Sequence, residues 1–128
     1  METVSIGDLQ VSRFILGSNP FSGFSHQGHE VDSRMIHHYT CERIKEVMRE
    51  AEGLGINTIV ARGDHHMLRV LIEYWDEGGA LHLIGQTCPE LGPPRRTIRK
   101  LADAGAVACH VHGGYADHLM ANGRMEDI

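Results

Sequence analysis

Long apolar runs are missing from this chain: nothing approaches the roughly 18 consecutive apolar residues of a membrane-spanning helix, and Met1 is not followed by the basic and then apolar segment of an export signal. The expectation is a cytoplasmic protein with no membrane partner. Basic residues are also few. Lys and Arg total 12 against 17 Asp and Glu, the net charge is −5, and no basic run is longer than the pair Arg95-Arg96. That balance argues against a nucleic-acid partner, since phosphate backbones are held by clustered cations. Cysteine is limited to Cys41, Cys88 and Cys109, an odd and widely spaced set that fits neither a disulfide framework nor a Cys-based zinc site. Free thiols are expected. The pairs Gly78-Gly79 and Gly113-Gly114 lack the further glycines and the lysine of a phosphate loop, and no Gly-x-Ser-x-Gly nucleophile turn is present.

What is present is an ordinary core-forming composition with one excess. In 128 residues, 41% are apolar and 23% charged, which fits a single globular domain. Histidine occurs ten times, at 26, 29, 37, 38, 65, 66, 82, 110, 112 and 118. Several of these follow predicted strands, where α/β proteins keep their sites.

Thr3–Ile6 and Leu9–Ser12 alternate around Gly7-Asp8 and predict a small hairpin. Arg13–Gly17 is the first core strand, and it runs into a long connection from Ser18 to about Tyr39. Connections of that length are functional covers or disordered segments, and Phe21 and Phe24 among Ser, Asn and Gly suit an ordered cover. Thr40 caps a helix ending near Leu54, with Ile44, Val47, Met48 and Ala51 on one face. Ile56–Ala61 forms the second strand, Asp64 caps a helix to Asp76 or Glu77, and Leu81–Thr87 forms the third strand. Pro93-Pro94 then starts a helix with Ile98, Leu101 and Ala102 inward. The fourth strand is Ala106–Val111, and a last helix spans Tyr115 to Asn122. This is an α/β fold: an N-terminal hairpin followed by (β/α)4 with parallel strands, half of a TIM barrel. Residues 1–128 make one half-barrel domain that is either incomplete, missing a C-terminal half, or completed as a homo-oligomer, because four parallel strands leave two open edges.

The stretch Ala106–Gly114 carries the chemistry. Strand alternation puts Val107, Cys109 and Val111 on one face, toward the helices, and Ala108, His110 and His112 on the other. At a barrel mouth His110 and His112 would meet Arg62, Gln86 and Asn19, with His26 in the covering loop and Asp64, His65 and His66 on the rim. Asp64, His65, His110 and His112 are ligand types that suit zinc or manganese. Without metal, His110 or His112 could act as general acid or base while Arg62 binds a carboxylate or phosphate.

The hairpin leading into Val11–Gly17, followed by Ala51-Glu52-Gly53-Leu54-Gly55-Ile56-Asn57 before the second strand, resembles the N-terminal half of the aldo-keto reductase barrel. The likeness spans about residues 3 to 114. It implies a TIM-barrel fold and NADP-dependent oxidoreduction with a Tyr, an Asp, a Lys and a His after strands two to four. Here the His position is matched by His112, whereas the Asp position falls near Val60, the Tyr near His65, and the Lys at Gln86 or Thr87.

Three functions are therefore in view. The first is a barrel enzyme acting on a small polar carbonyl- or sugar-like molecule through His110, His112 and Arg62, with Asn19, Gln86 and His26 lining the substrate site and a divalent metal as a possible cofactor. The second is an NADP-dependent reductase of the aldo-keto type. The third is a non-catalytic half-barrel that self-associates.

Overall fold

Two short strands open the chain: β1 (Thr3–Ile6) and β2 (Leu9–Ser12) pair antiparallel, with Thr3 opposite Ser12 and Ile6 opposite Leu9. Gly7, at φ +58°, supplies the left-handed step of the turn. The computed structural model describes residues 1–127. After the hairpin come β3 (Leu16–Gly17), α1 (His29–His38), α2 (Cys41–Gly53), β4 (Thr58–Arg62), α3 (His65–Asp76), β5 (His82–Gln86), α4 (Pro94–Ala104), β6 (Ala108–His110) and α5 (Gly113–Ala121). Short 3₁₀ turns at Asn19–Ser22, Pro89–Leu91 and Met125–Asp127 complete the order.

The four later strands form one parallel sheet in the order β3-β4-β5-β6. Neighbours in sequence are neighbours in space, so successive right-handed crossovers deliver their helices to the same face. The core reflects this. Ile59, Ala61 and Leu83 of the sheet are buried with Ile44 and Met48 of α2, Met67, Leu71 and Tyr74 of α3, and Leu101 of α4. Val60, Ile84 and Ala108 alternate with them and are only half-buried. The sheet therefore has a closed face and an open one.

Close approach of α4 depends on glycine. A Cβ on Gly85 would lie 2.4 Å from Leu101 Cδ2, and one on Gly63 would lie 2.8 Å from Thr97 Cγ2. Thr97 and Leu101, one turn apart, are the buried residues of α4, whereas Ile98 is 39% exposed and Ala102 is exposed. The inward face expected from Ile98, Leu101 and Ala102 is thus rotated by about one residue. The small seat at Gly63 and Gly85 selects Thr97 and Leu101.

At the other end, the hairpin is fastened to the residue just before β4. Ser12 N–H donates to Asn57 Oδ1 at 2.8 Å, Asn57 N–H donates to Ser12 Oγ at 3.1 Å, and Asn57 Nδ2 donates to the Gln10 carbonyl at 2.9 Å. These bonds hold the hairpin at the N-terminal end of the sheet.

The long connection after β3 contains a helix that the sequence did not announce. α1 buries no residue, and its N-cap is Gly28, without a side-chain cap. Neither apolar periodicity nor capping chemistry marks it. It is tied to the loop before it by Asp32 Oδ1, which accepts from Ser25 N–H at 2.7 Å. A second difference concerns β6. Val107 and Val111 are each 39% exposed, and Cys109 is exposed as well, although alternation marked all three as helix-facing. The cause is position, since β6 is an edge strand of the described sheet.

Candidate functional site

In a parallel sheet, residues paired across strands project to the same side. Arg62 pairs with Gln86 and Gln86 pairs with His110, so these three form a row across the last positions of β4, β5 and β6. Counting from Ile59, Ala61 and Leu83, which face the helices, alternation assigns Arg62, Gln86 and His110 to the open face. With strands about 4.8 Å apart, the outer two backbones are roughly 10 Å apart. Gly63 N–H donates to the Gln86 carbonyl at 2.9 Å and Thr87 N–H to the His110 carbonyl at 3.0 Å, so the ladder extends past the row and fixes it.

Arg62 is the anchored member. Its side chain is only 10% exposed, and its guanidinium holds two carboxylates, Asp64 through Nε at 3.1 Å and Glu90 through Nη2. The Phe24 ring lies over it, 4.8 Å from Cζ to the ring centroid. This is a cation–π contact that desolvates one face of the charge. The loop after β3 does therefore reach the C-terminal end of the sheet, as expected of a cover, but with one aromatic. Phe21 turns into the core instead, edge-on to Tyr39 at 5.1 Å.

Asp64 has two jobs at once. Oδ1 accepts from Met67 N–H at 2.9 Å and caps α3, while Oδ2 accepts from Arg62. His65, the first residue of α3, is directed toward α4, where Lys100 Nζ donates to its Nδ1 at 2.9 Å. His112 leaves the strand. β6 ends at His110, and His112 caps α5 by accepting from Tyr115 N–H at Nδ1, 3.3 Å away, while its own N–H donates to Thr87 Oγ1 at 2.9 Å. The alternation that placed His110 and His112 on one strand face therefore stops at His110. Asn19 opens the 3₁₀ turn after β3 and is exposed, and its carbonyl accepts from Phe24 N–H at 2.9 Å. His26 is exposed with φ +58°, in the same loop.

The residues expected around a substrate thus separate into a row of three, Arg62, Gln86 and His110, and a periphery. Among the described residues, no three His, Cys, Asp or Glu side chains are grouped so as to hold a metal ion. Asp64, His65 and His112 are each engaged by backbone or side-chain partners of their own. Cys88, just past β5, is buried, and burial pushes its thiol up while the Arg62 guanidinium pulls the other way. Burial thus works against thiolate formation at Cys88.

Two participants escaped the sequence. Glu90, in the turn after β5, supplies the second carboxylate on Arg62, and Lys100 supplies the partner of His65. The signal for Glu90 was available in principle, because an acid in the loop after one parallel strand faces a cation at the end of its neighbour. Lys100 is one turn beyond Arg96 on α4 and carried no such signal. No family model, curated protein or solved structure matches the chain.

Proposed function

We propose that this chain is half of a (β/α)8-type barrel and that it binds and acts on a small polar carbonyl- or sugar-like molecule at the C-terminal ends of its parallel strands. The observation that carries the reading is the register row Arg62, Gln86 and His110 on the open face of the sheet. In parallel α/β architectures the C-terminal strand ends are where ligands collect, because the connecting loops there surround an open sheet edge. His110 is exposed, and an imidazole can give or take a proton near neutral pH. The Gln86 amide offers one donor and one acceptor to a carbonyl or hydroxyl. Arg62, held by Asp64, Glu90 and the Phe24 ring, closes the far end of the row as a fixed, carboxylate-paired guanidinium. This chemistry is acid–base and asks for no divalent metal.

Thermal-shift titration of the intact chain with aldoses, ketones and oxo acids tests the reading. At least one class is expected to raise Tm saturably, and His110→Ala and Gln86→Ala should remove that rise while leaving the unliganded Tm within about 2 °C, since His110 is exposed and Gln86 is half-buried at the end of its strand. Equal stabilisation of the parent and both variants would refute the site.

A second reading, an aldo-keto-type reductase using NADP, is supported by the hairpin fastened at the N-terminal end of the sheet through Asn57. It predicts a saturable change in NADPH fluorescence on adding the chain. An unchanged spectrum removes it.

A further inference from the structure

We infer that a separate oxyanion site, suited to the phosphate group of a small molecule, lies between the start of α3 and the first two turns of α4. A cavity of about 380 Å³ is lined there by His65, Glu90, Leu91, Arg96, Thr97 and Lys100. This volume lies within the usual range of ligand pockets, near its lower end.

Three features favour an anion. The first is unneutralised positive charge. α4 carries Arg95, Arg96, Arg99 and Lys100 against Asp103 alone, in a chain whose net charge is −5. Among the described residues, neither Arg96 nor Lys100 is ion-paired to a carboxylate, although Lys45, Arg49, Arg62 and Arg69 all are. The second is positioning: Lys100 Nζ donates to His65 Nδ1 at 2.9 Å, which places the ammonium beside the cavity that both residues line. The third is an unused hydroxyl. Thr97 lines the cavity, is 2% exposed, and its Oγ1 has no hydrogen-bond partner. A buried hydroxyl without a partner is costly and rare in native structures.

The one acidic residue of the lining does not oppose this. Glu90 is drawn to the Arg62 guanidinium, which it shares with Asp64, and it is outnumbered in the lining by Arg96 and Lys100. The ligand class that answers two cations and a hydroxyl donor is a tetrahedral oxyanion. The cavity is distinct from the row on the sheet and meets it at one point, Glu90, which pairs with Arg62.

Inorganic phosphate is the probe, titrated into the intact chain against chloride at matched ionic strength and followed by Tm and by ³¹P line broadening. Phosphate should stabilise saturably where chloride does not. Lys100→Gln and Arg96→Gln should each weaken it about tenfold, the worth of one charge-assisted hydrogen bond. Thr97→Val is the decisive variant: it should weaken phosphate while leaving the unliganded Tm equal or higher, because it removes an unsatisfied buried polar group. His110→Ala should leave phosphate binding unchanged, so that failure on the sheet and failure here are read separately. Phosphate indistinguishable from chloride, or phosphate bound equally by the parent, Lys100→Gln and Thr97→Val, would overturn the inference.

Discussion

Gly79 shows how much of this fold rests on single atoms. A Cβ there would lie 2.2 Å from Tyr74 Cζ, inside the ring's own envelope. The ring cannot yield, because Tyr74 is 1% exposed, its hydroxyl donates to Glu52, and it accepts from Leu81 N–H at 3.3 Å. Burial and the Glu52 carboxylate together push the Tyr74 phenol well up, so it remains a donor throughout the working pH range. Gly79→Ala is therefore expected to lower stability by about 1–3 kcal/mol in urea unfolding, as overpacking does. A change below the error of the measurement would show that the ring has room to move. Acid sensitivity also originates in particular residues. The hydrogen bonds from Ser25 hold Asp32 below its usual carboxyl value of 3.8, and those from Arg49 and then Lys45 do the same for Glu42 from 4.5. A depressed folded pKa contributes stability that is complete above the unfolded value and is lost as pH falls through the folded one. Tm should thus be flat above about pH 5 and fall below about pH 4, and Asp32→Asn should flatten part of that fall.

At the scale of the element, α4 is the clearest case of sequence and sheet fitting each other. Leu101 occupies the seat left by Gly63 and Gly85, so Leu101→Ala should cost about 2–5 kcal/mol and Gly85→Ala about 1–3 kcal/mol, one by cavity and the other by overpacking. If the two losses add in the double variant, the residues do not share a contact; a double variant milder than the sum is expected. The helices that the sequence announced are those with caps and stripes. Thr40 accepts from Arg43 N–H at 3.3 Å and Asp64 from Met67 N–H at 2.9 Å, each at the predicted position. α1 was illegible because it has neither a side-chain cap nor a buried stripe. The strands came out shorter than their apolar runs: Arg13–Gly17 contributes only Leu16 and Gly17, and Ala106–Val111 only Ala108–His110. An edge strand is limited by its neighbour's ladder, and hydrophobicity does not record that limit. Arg62, expected just past its strand, is the last residue of β4, and with Gln86 and His110 it falls in one register row at the strand ends. The end of β6 before His112 was not legible, because a histidine that caps a helix reads the same as one that ends a strand. Cooperation between Asp64 and Arg62 was hidden as well, since it depends on the reach of two side chains.

Seen whole, the molecule has a hairpin at one end of its sheet, helices on one face, and an open face ending in Arg62, Gln86 and His110. β3 and β6 are the outer strands of the described sheet, and Cys109 of β6 and the flanking Val107 and Val111 are exposed. Unpaired parallel edges with apolar neighbours favour pairing with further strands. Sedimentation of the 128-residue chain is therefore expected to report a reversible dimer or larger species at tens of micromolar, shifted toward monomer by Val107→Lys. A compact monomer at that concentration would speak for edges protected in another way. The central claim, that the sheet's register assembles a ligand site on its open face, is tested most directly by ¹H–¹⁵N and imidazole ¹H–¹³C shift mapping during titration with whichever aldose, ketone or oxo acid stabilises the chain. The largest changes are predicted at Arg62, Gln86 and His110 together, tracking one saturation curve. Changes centred instead on the helical face, with His110 unmoved at saturation, would contradict it.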